Sequence, residues 1–85
     1  MKKKLIGKIT HFYPKINVAI VELSDALKQG EKILIEDHEQ SFEQAVDSMQ
    51  VEHENIPSAK KGQSIGLKVM QPVKEGAKVY KLIIA

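Results

Sequence analysis

The 85-residue sequence has no cysteine, no tryptophan and no arginine, and its aromatics are two phenylalanines and two tyrosines. The missing cysteine excludes disulfides, cysteine-ligated zinc, iron–sulfur clusters and thiol nucleophiles. Stability must then come from packing. With no arginine, all thirteen cations are lysines. A lysine is a hydrated point charge without the planar fork that grips phosphate or guanine, so reading of base edges is disfavoured against diffuse attraction to phosphate. Lysine-rich coding in an AT-rich genome explains the bias equally well. The net charge of +2 is too small to imply a polyanionic partner by itself. No apolar run approaches the ~20 residues of a membrane span. The basic start Met1-Lys2-Lys3-Lys4 resembles that of a signal peptide, but Lys8 interrupts the apolar stretch that must follow it, expected to run ~7–15 residues. The expectation is a cytoplasmic protein with no membrane role.

The marks of common catalytic machinery are missing too. No Gly-x-x-x-x-Gly-Lys-[Ser/Thr] phosphate loop is present, so no nucleotide hydrolysis is expected. Ser24, Ser41, Ser48, Ser58 and Ser64 lack the strained Gly-x-Ser-x-Gly elbow of a serine nucleophile. His11, His38 and His53 are far apart and lack the stiff spacing of a metal site. The acidic run Glu36-Asp37-His38-Glu39 reads as a charged hairpin tip. The expectation is a non-enzyme with no catalytic residue, metal or cofactor.

What is present is a set of short apolar segments of period two, separated by glycine and proline. Leu5 to Phe12 reads as a first strand, stopped at Tyr13-Pro14-Lys15-Ile16-Asn17 because Pro14 cannot donate an amide proton. Val18 to Leu23 reads as a buried central strand, and Asp25 to Lys28 as a single helical turn closed by Gly30. Lys32 to Glu36 alternates, and the polar tip Asp37-His38-Glu39-Gln40 predicts an antiparallel return. Ser41 to Glu52 is ambiguous. Phe42, Val46 and Met49 suit a helix face, whereas Phe42, Gln44 and Val46 suit a strand with a β-bulge near Asp47-Ser48. The hairpin context favours the strand. Ile56-Pro57 to Gly62 is a turn, Ser64 to Met70 a strand, Pro72 to Gly76 a turn, and Ala77 to Ile84 a closing strand. Eighty-five residues hold one core, so residues 1–85 form a single all-β domain, predicted to be a small closed six-stranded antiparallel barrel, Greek-key-like.

Four glycine turns in order carry a family resemblance. Ile6-Gly7-Lys8-Ile9, Leu27-Lys28-Gln29-Gly30-Glu31-Lys32-Ile33-Leu34-Ile35, Ala59-Lys60-Lys61-Gly62-Gln63-Ser64-Ile65-Gly66-Leu67 and Val73-Lys74-Glu75-Gly76-Ala77-Lys78-Val79-Tyr80 span nearly the whole chain. Together they resemble the β-barrel second domain of translational GTPases such as elongation factor Tu, as a stand-alone elongation-factor-like protein. They are also similar to the C-terminal accessory barrel of collagenase-like peptidases, where His53 and the run Val46-Asp47-Ser48-Met49-Gln50 have near counterparts. The first resemblance implies docking on RNA (tRNA or rRNA) or on a translation-related protein. The second implies a protein-interaction module serving a larger enzyme.

Two features of the residues themselves bear on binding. His11-Phe12-Tyr13-Pro14-Lys15 places two aromatics beside a cation, the composition that stacks single-stranded bases. Alternatively, Phe12 or Tyr13 plugs a barrel end. Lys60 and Lys61 either join Lys2-Lys3-Lys4 in one basic patch or are separate solvated charges, depending on strand order. The candidate RNA- or partner-binding residues are therefore His11, Phe12, Tyr13, Lys15, Lys60 and Lys61.

Overall fold

The computed structural model describes residues 2–51 and 54–83, so His53, Glu52 and Ile84 lie outside the described residues. Among the described residues all regular structure is β. Ten strands follow in order: β1 (Lys2–Tyr13), β2 (Val18–Leu23), β3 (Leu27–Lys28), β4 (Lys32–Glu36), β5 (Ser41–Ala45), β6 (Met49–Val51), β7 (Glu54–Ile56), β8 (Ser58–Ala59), β9 (Ser64–Lys68) and β10 (Lys78–Ile83). Eight form one sheet in the order β5-β4-β10-β1-β2-β9-β6-β7, and β3 pairs with β8 in a separate two-stranded ladder. Every ladder is antiparallel.

The long first strand organises the sheet. Its first half, from Lys2 to Lys8, pairs with β10, and its second half, from Gly7 to Tyr13, pairs with β2. The strand bends where it changes partner. At Gly7 an added Cβ would lie 2.7 Å from the Glu22 carbonyl oxygen and 2.9 Å from Val21 Cγ1, so no side chain fits there. Two register shifts re-aim its side chains, one between Leu5 and Gly7 and one between Ile9 and His11. The first turns Ile6 into the core and leaves Leu5 exposed.

The alternation read from the sequence decides which face is buried. Ala19, Val21 and Leu23 of β2, Ile33 and Ile35 of β4, and Ile65 and Leu67 of β9 all point into one core. Ile6, Ile9, Met49 and Val79 join them from the strands between. Each such valine, leucine, isoleucine or methionine contributes about 1.5–3 kcal/mol on burial. The β3–β8 ladder adds Leu27 and Ala59.

The all-β antiparallel class agrees with expectation, and so does the β4–β5 hairpin, with Asp37 N–H donating to the Gln40 carbonyl at 2.9 Å. Three details differ. The segment from Asp25 to Lys28 is not a helical turn. Leu27 and Lys28 are extended and pair with Ala59 and Ser58, because burying Leu27 outweighs a lone turn's weak propensity. The segment from Ser41 to Glu52 is not one bulged strand either. It breaks at Val46–Ser48, after which β6 pairs with β9 and β7 and no longer with β4. The third difference follows from that break, since among the described residues no backbone ladder closes the sheet into a six-stranded barrel.

Instead, the edge strand β5 reaches the end of β9 through one side chain. Gln44 is 5% exposed, the one buried polar residue among those described. Its Nε2 donates to the Lys68 carbonyl at 2.9 Å, and its Oε1 accepts from the Met70 N–H at 2.9 Å. A single amide thus does across this seam what a pair of ladder hydrogen bonds would do.

Candidate protein-docking face

The register shift in β1 determines what the aromatic segment presents. Thr10 is the extra residue, and its hydroxyl donates to the Ile20 carbonyl at 3.4 Å. Beyond it His11 pairs with Ile20, Phe12 with Ala19 and Tyr13 with Val18. Phe12 therefore shares the inward side of Ala19 and packs against the core, half-buried. His11 and Tyr13 stand on the outside with their rings edge to face, 4.5 Å between centroids. Glu75 then comes to His11, with Oε2 2.9 Å from Nδ1.

This outer face is concave. Tyr13 and Ile16 border it on one side and Val18 and Ile20 form its wall. Gly66, facing Ile20 across the β2–β9 ladder, leaves its floor without a side chain, while Gln50 and Ser64 lie at the polar margin. The hollow holds about 420 Å³. Ile16 is 61% exposed and Tyr13 45% exposed. The turn carrying Ile16 is held by its own N–H, which donates to the Tyr13 carbonyl at 3.3 Å, and by Asn17 in the left-handed region at φ 54°. Lys15 lies in the same turn, exposed.

The sequence-derived candidates are only partly brought together. His11, Tyr13 and Lys15 share this end of the face, whereas Phe12 is withdrawn inside. Lys60 and Lys61 lie in the turn before β9, where the Gly62 N–H donates to the Leu23 carbonyl at 2.9 Å. That is the opposite end of β2, roughly 17–20 Å away at ~3.3 Å per residue. Lys2-Lys3-Lys4 belong to the start of β1, which pairs there with β10 and not with β2. Lys3 lies 3.4 Å from Glu36 and 4.5 Å from the centre of the Tyr80 ring, and Lys4 pairs with Asp25. Ile16, Val18, Ile20 and Gly66 were not singled out by sequence reasoning. The signal was available: Val18 and Ile20 are apolar on the face opposite to Ala19 and Val21, so an apolar outer wall follows once β2 is read as alternating.

Three of the other titratable groups are held by local contacts. Hydrogen bonds from the Glu39 and Gln40 N–H groups hold the Asp37 carboxyl below the usual carboxylate range and pin the hairpin tip. The hydrogen bond from Lys4, followed by the Ala26 N–H, does the same for Asp25. Glu39, 2.8 Å from Lys74, raises that ammonium's pKa. Among the described residues no group of three or more His, Asp or Glu is placed to hold a metal ion.

No protein-family model matches the chain. It is 42% identical over 82 residues to an uncharacterized protease of Methanocaldococcus jannaschii, covering 95% of this chain and 20% of that protein. The chain thus spans about one fifth of the length of the relative it matches. In fold it is similar to the C-terminal domain of a protein described as a U32 peptidase from Geobacillus thermoleovorans. The TM-score is 0.88 at 18% identity, covering 94% of this chain and 93% of that domain. The selenomethionine variant of the same domain gives 0.85 at 18% identity, over 89% and 96% of the two chains.

These findings overturn the translation-factor and elongation-factor reading, and they favour the peptidase-associated alternative over docking on RNA. Physically, the glycine motifs report turn geometry and do not by themselves tell the two resemblances apart. Gly30, Gly62 and Gly76 have φ of 92°, 89° and 90°, which a tight turn demands in any antiparallel domain. The aromatic–lysine segment is split by the fold. Phe12 is turned inward, Tyr13 packs against His11, and a carboxylate sits beside that pair. The peptidase-associated resemblance is the one that the comparisons support.

Proposed function

We propose that this chain is a non-catalytic accessory module that docks on the catalytic part of a U32-type peptidase. One observation carries the reading. Nearly the whole chain is 42% identical to a stretch that makes up one fifth of a longer protease. A fold like that of a peptidase C-terminal domain supports it. So does the outward apolar hollow, since contiguous exposed apolar surface rimmed by polar groups marks interaction sites.

The test is to mix the purified chain with the catalytic domain of a U32-type peptidase and measure association by calorimetry at 50 and 500 mM NaCl. A one-to-one complex is expected, weakened no more than about tenfold by the added salt, because apolar burial is not screened as exposed charge is. Absence of a complex at 100 μM protein overturns the reading. Hydrolysis of gelatin by the chain alone would overturn its non-catalytic half.

A further inference from the structure

The rim of the hollow indicates what kind of segment it takes. Lys15 sits in the turn between Tyr13 and Ile16, two of the lining residues. Lys68 lies two residues beyond Gly66 on the same face of β9 and pairs in register with Val18, another lining residue. Both are exposed, and neither is within ion-pair distance of a carboxylate among the described residues. Lys60 and Lys61 extend the same sign past the Ser64 end. Of the nearby carboxylates, Glu75 lies 2.9 Å from His11, and Glu22 is in register with Lys8 and with Ser64, at the end of the hollow away from Lys15 and Lys68.

An apolar hollow of about 420 Å³ beside cations that have no carboxylate partner among the described residues suits one or two aliphatic side chains with carboxylates on either side.

We infer that the hollow over Gly66 receives an acidic segment of the peptidase's catalytic part, which seats an aliphatic side chain against Val18, Ile20 and Tyr13 and directs its carboxylates to Lys15 and Lys68. The inference rests on the accessory-module reading and deepens it by naming the surface and the partner's chemistry. Gly66 sets the depth. A Cβ there would lie 3.3 Å from Val18 Cγ1 and would begin to fill the floor.

The experiment is a titration of the ¹⁵N-labelled chain with the catalytic domain of a U32-type peptidase, followed amide by amide. Shifts or broadening centred on Val18, Ile20, Gln50 and Gly66 are expected. The Lys15→Glu, Lys68→Glu double variant is expected to bind at least tenfold more weakly at 50 mM NaCl, and Gly66→Ala to bind more weakly with an otherwise unchanged spectrum. Lys28→Glu, a charge change away from this face, is expected to bind as the parent does. A complex whose shifts fall elsewhere overturns the inference and leaves the accessory-module reading standing. No complex at all overturns both. Concentration-dependent shifts at these same amides without the peptidase would assign the face to a second copy and overturn the inference. If the double variant loses its spectral dispersion, Lys15→Gln and Lys68→Gln tested singly decide the charge component, and unchanged affinity in both overturns it.

Discussion

Phe12 and Tyr13 are neighbours of similar chemistry, and one extra residue before them gives them opposite tasks. With Thr10 left out of the ladder, Phe12 falls on the Ala19 side and Tyr13 on the Val18 side. Had Thr10 paired in sequence, the two would have exchanged faces, because a one-residue slip inverts a strand. Phe12→Ala is therefore expected to cost about 2–3 kcal/mol, somewhat below the ~3–5 kcal/mol of a fully enclosed phenylalanine. Tyr13→Ala is expected to cost under about 1 kcal/mol, chiefly its edge-to-face contact with His11. Urea unfolding of the two variants checks this. Equal losses would mean that Tyr13 is part of the core. Alternation alone showed that two aromatics would face opposite ways. Which was inside depended on the bulge, which nothing in the spacing of Leu5, Ile9 and Thr10 reveals.

At the scale of elements, the most informative is β5 and its continuation. Its sequence carries both periods, since Phe42, Val46 and Met49 fit a helix while Phe42, Gln44 and Val46 fit a strand. The structure uses both by breaking the chain between them. Gln44 is buried as the strand pattern requires, and Met49 is buried from a different strand. A glutamine on the inward face looks like a conflict with the hydrophobic pattern until its two hydrogen bonds to Lys68 and Met70 are seen. Gln44→Leu keeps the size and loses both bonds. It is expected to lower stability by about 1–3 kcal/mol, the cost of a donor and an acceptor left without partners. Hydrogen exchange should show faster opening at Met70, whose N–H loses its acceptor. An unchanged rate there would mean that the seam is held by packing alone. The hairpin before it was more legible, because Asp37 at its tip is a turn residue whose carboxylate closes the turn locally.

For the whole molecule, acid and base limits follow from charges tying separate parts of the sheet together. Asp25, after β2, meets Lys4 of β1, and Glu39 of the β4–β5 tip meets Lys74 of the loop before β10. A carboxyl whose folded pKa is lowered adds stability above its ordinary value of 3.8, and that stability is lost as pH falls through the folded value. An ammonium whose pKa is raised adds stability below 10.5 that is lost as pH rises through the folded value. These groups are at the surface, where solvent screening keeps each contribution small. The unfolding free energy of the parent is therefore expected to exceed that of Asp25→Asn and Asp37→Ala at neutral pH, with the gaps closing below pH 3.8. Gaps that stay constant to lower pH would show that the carboxylate charges do not contribute.

The sequence by itself determined the inward faces of β4 and β9, the all-β class, the β4–β5 hairpin and the glycine turns, because each depends on period-two alternation or on a φ that few residues adopt. It also determined what chemistry is missing, since a thiol, a guanidinium or a phosphate loop must be written in the chain to exist. Only the tertiary structure decided how the sheet ends meet, which aromatic faces outward, and that Lys60-Lys61 and Tyr13 lie at opposite ends of β2. Those outcomes depend on contacts between residues distant in the chain, and local pattern carries no information about which strands become neighbours. The hollow over Gly66 belongs to the same class. Val18, Ile20 and Gly66 are ordinary strand residues until β2 and β9 lie side by side, where two apolar side chains and a missing one together make a cavity.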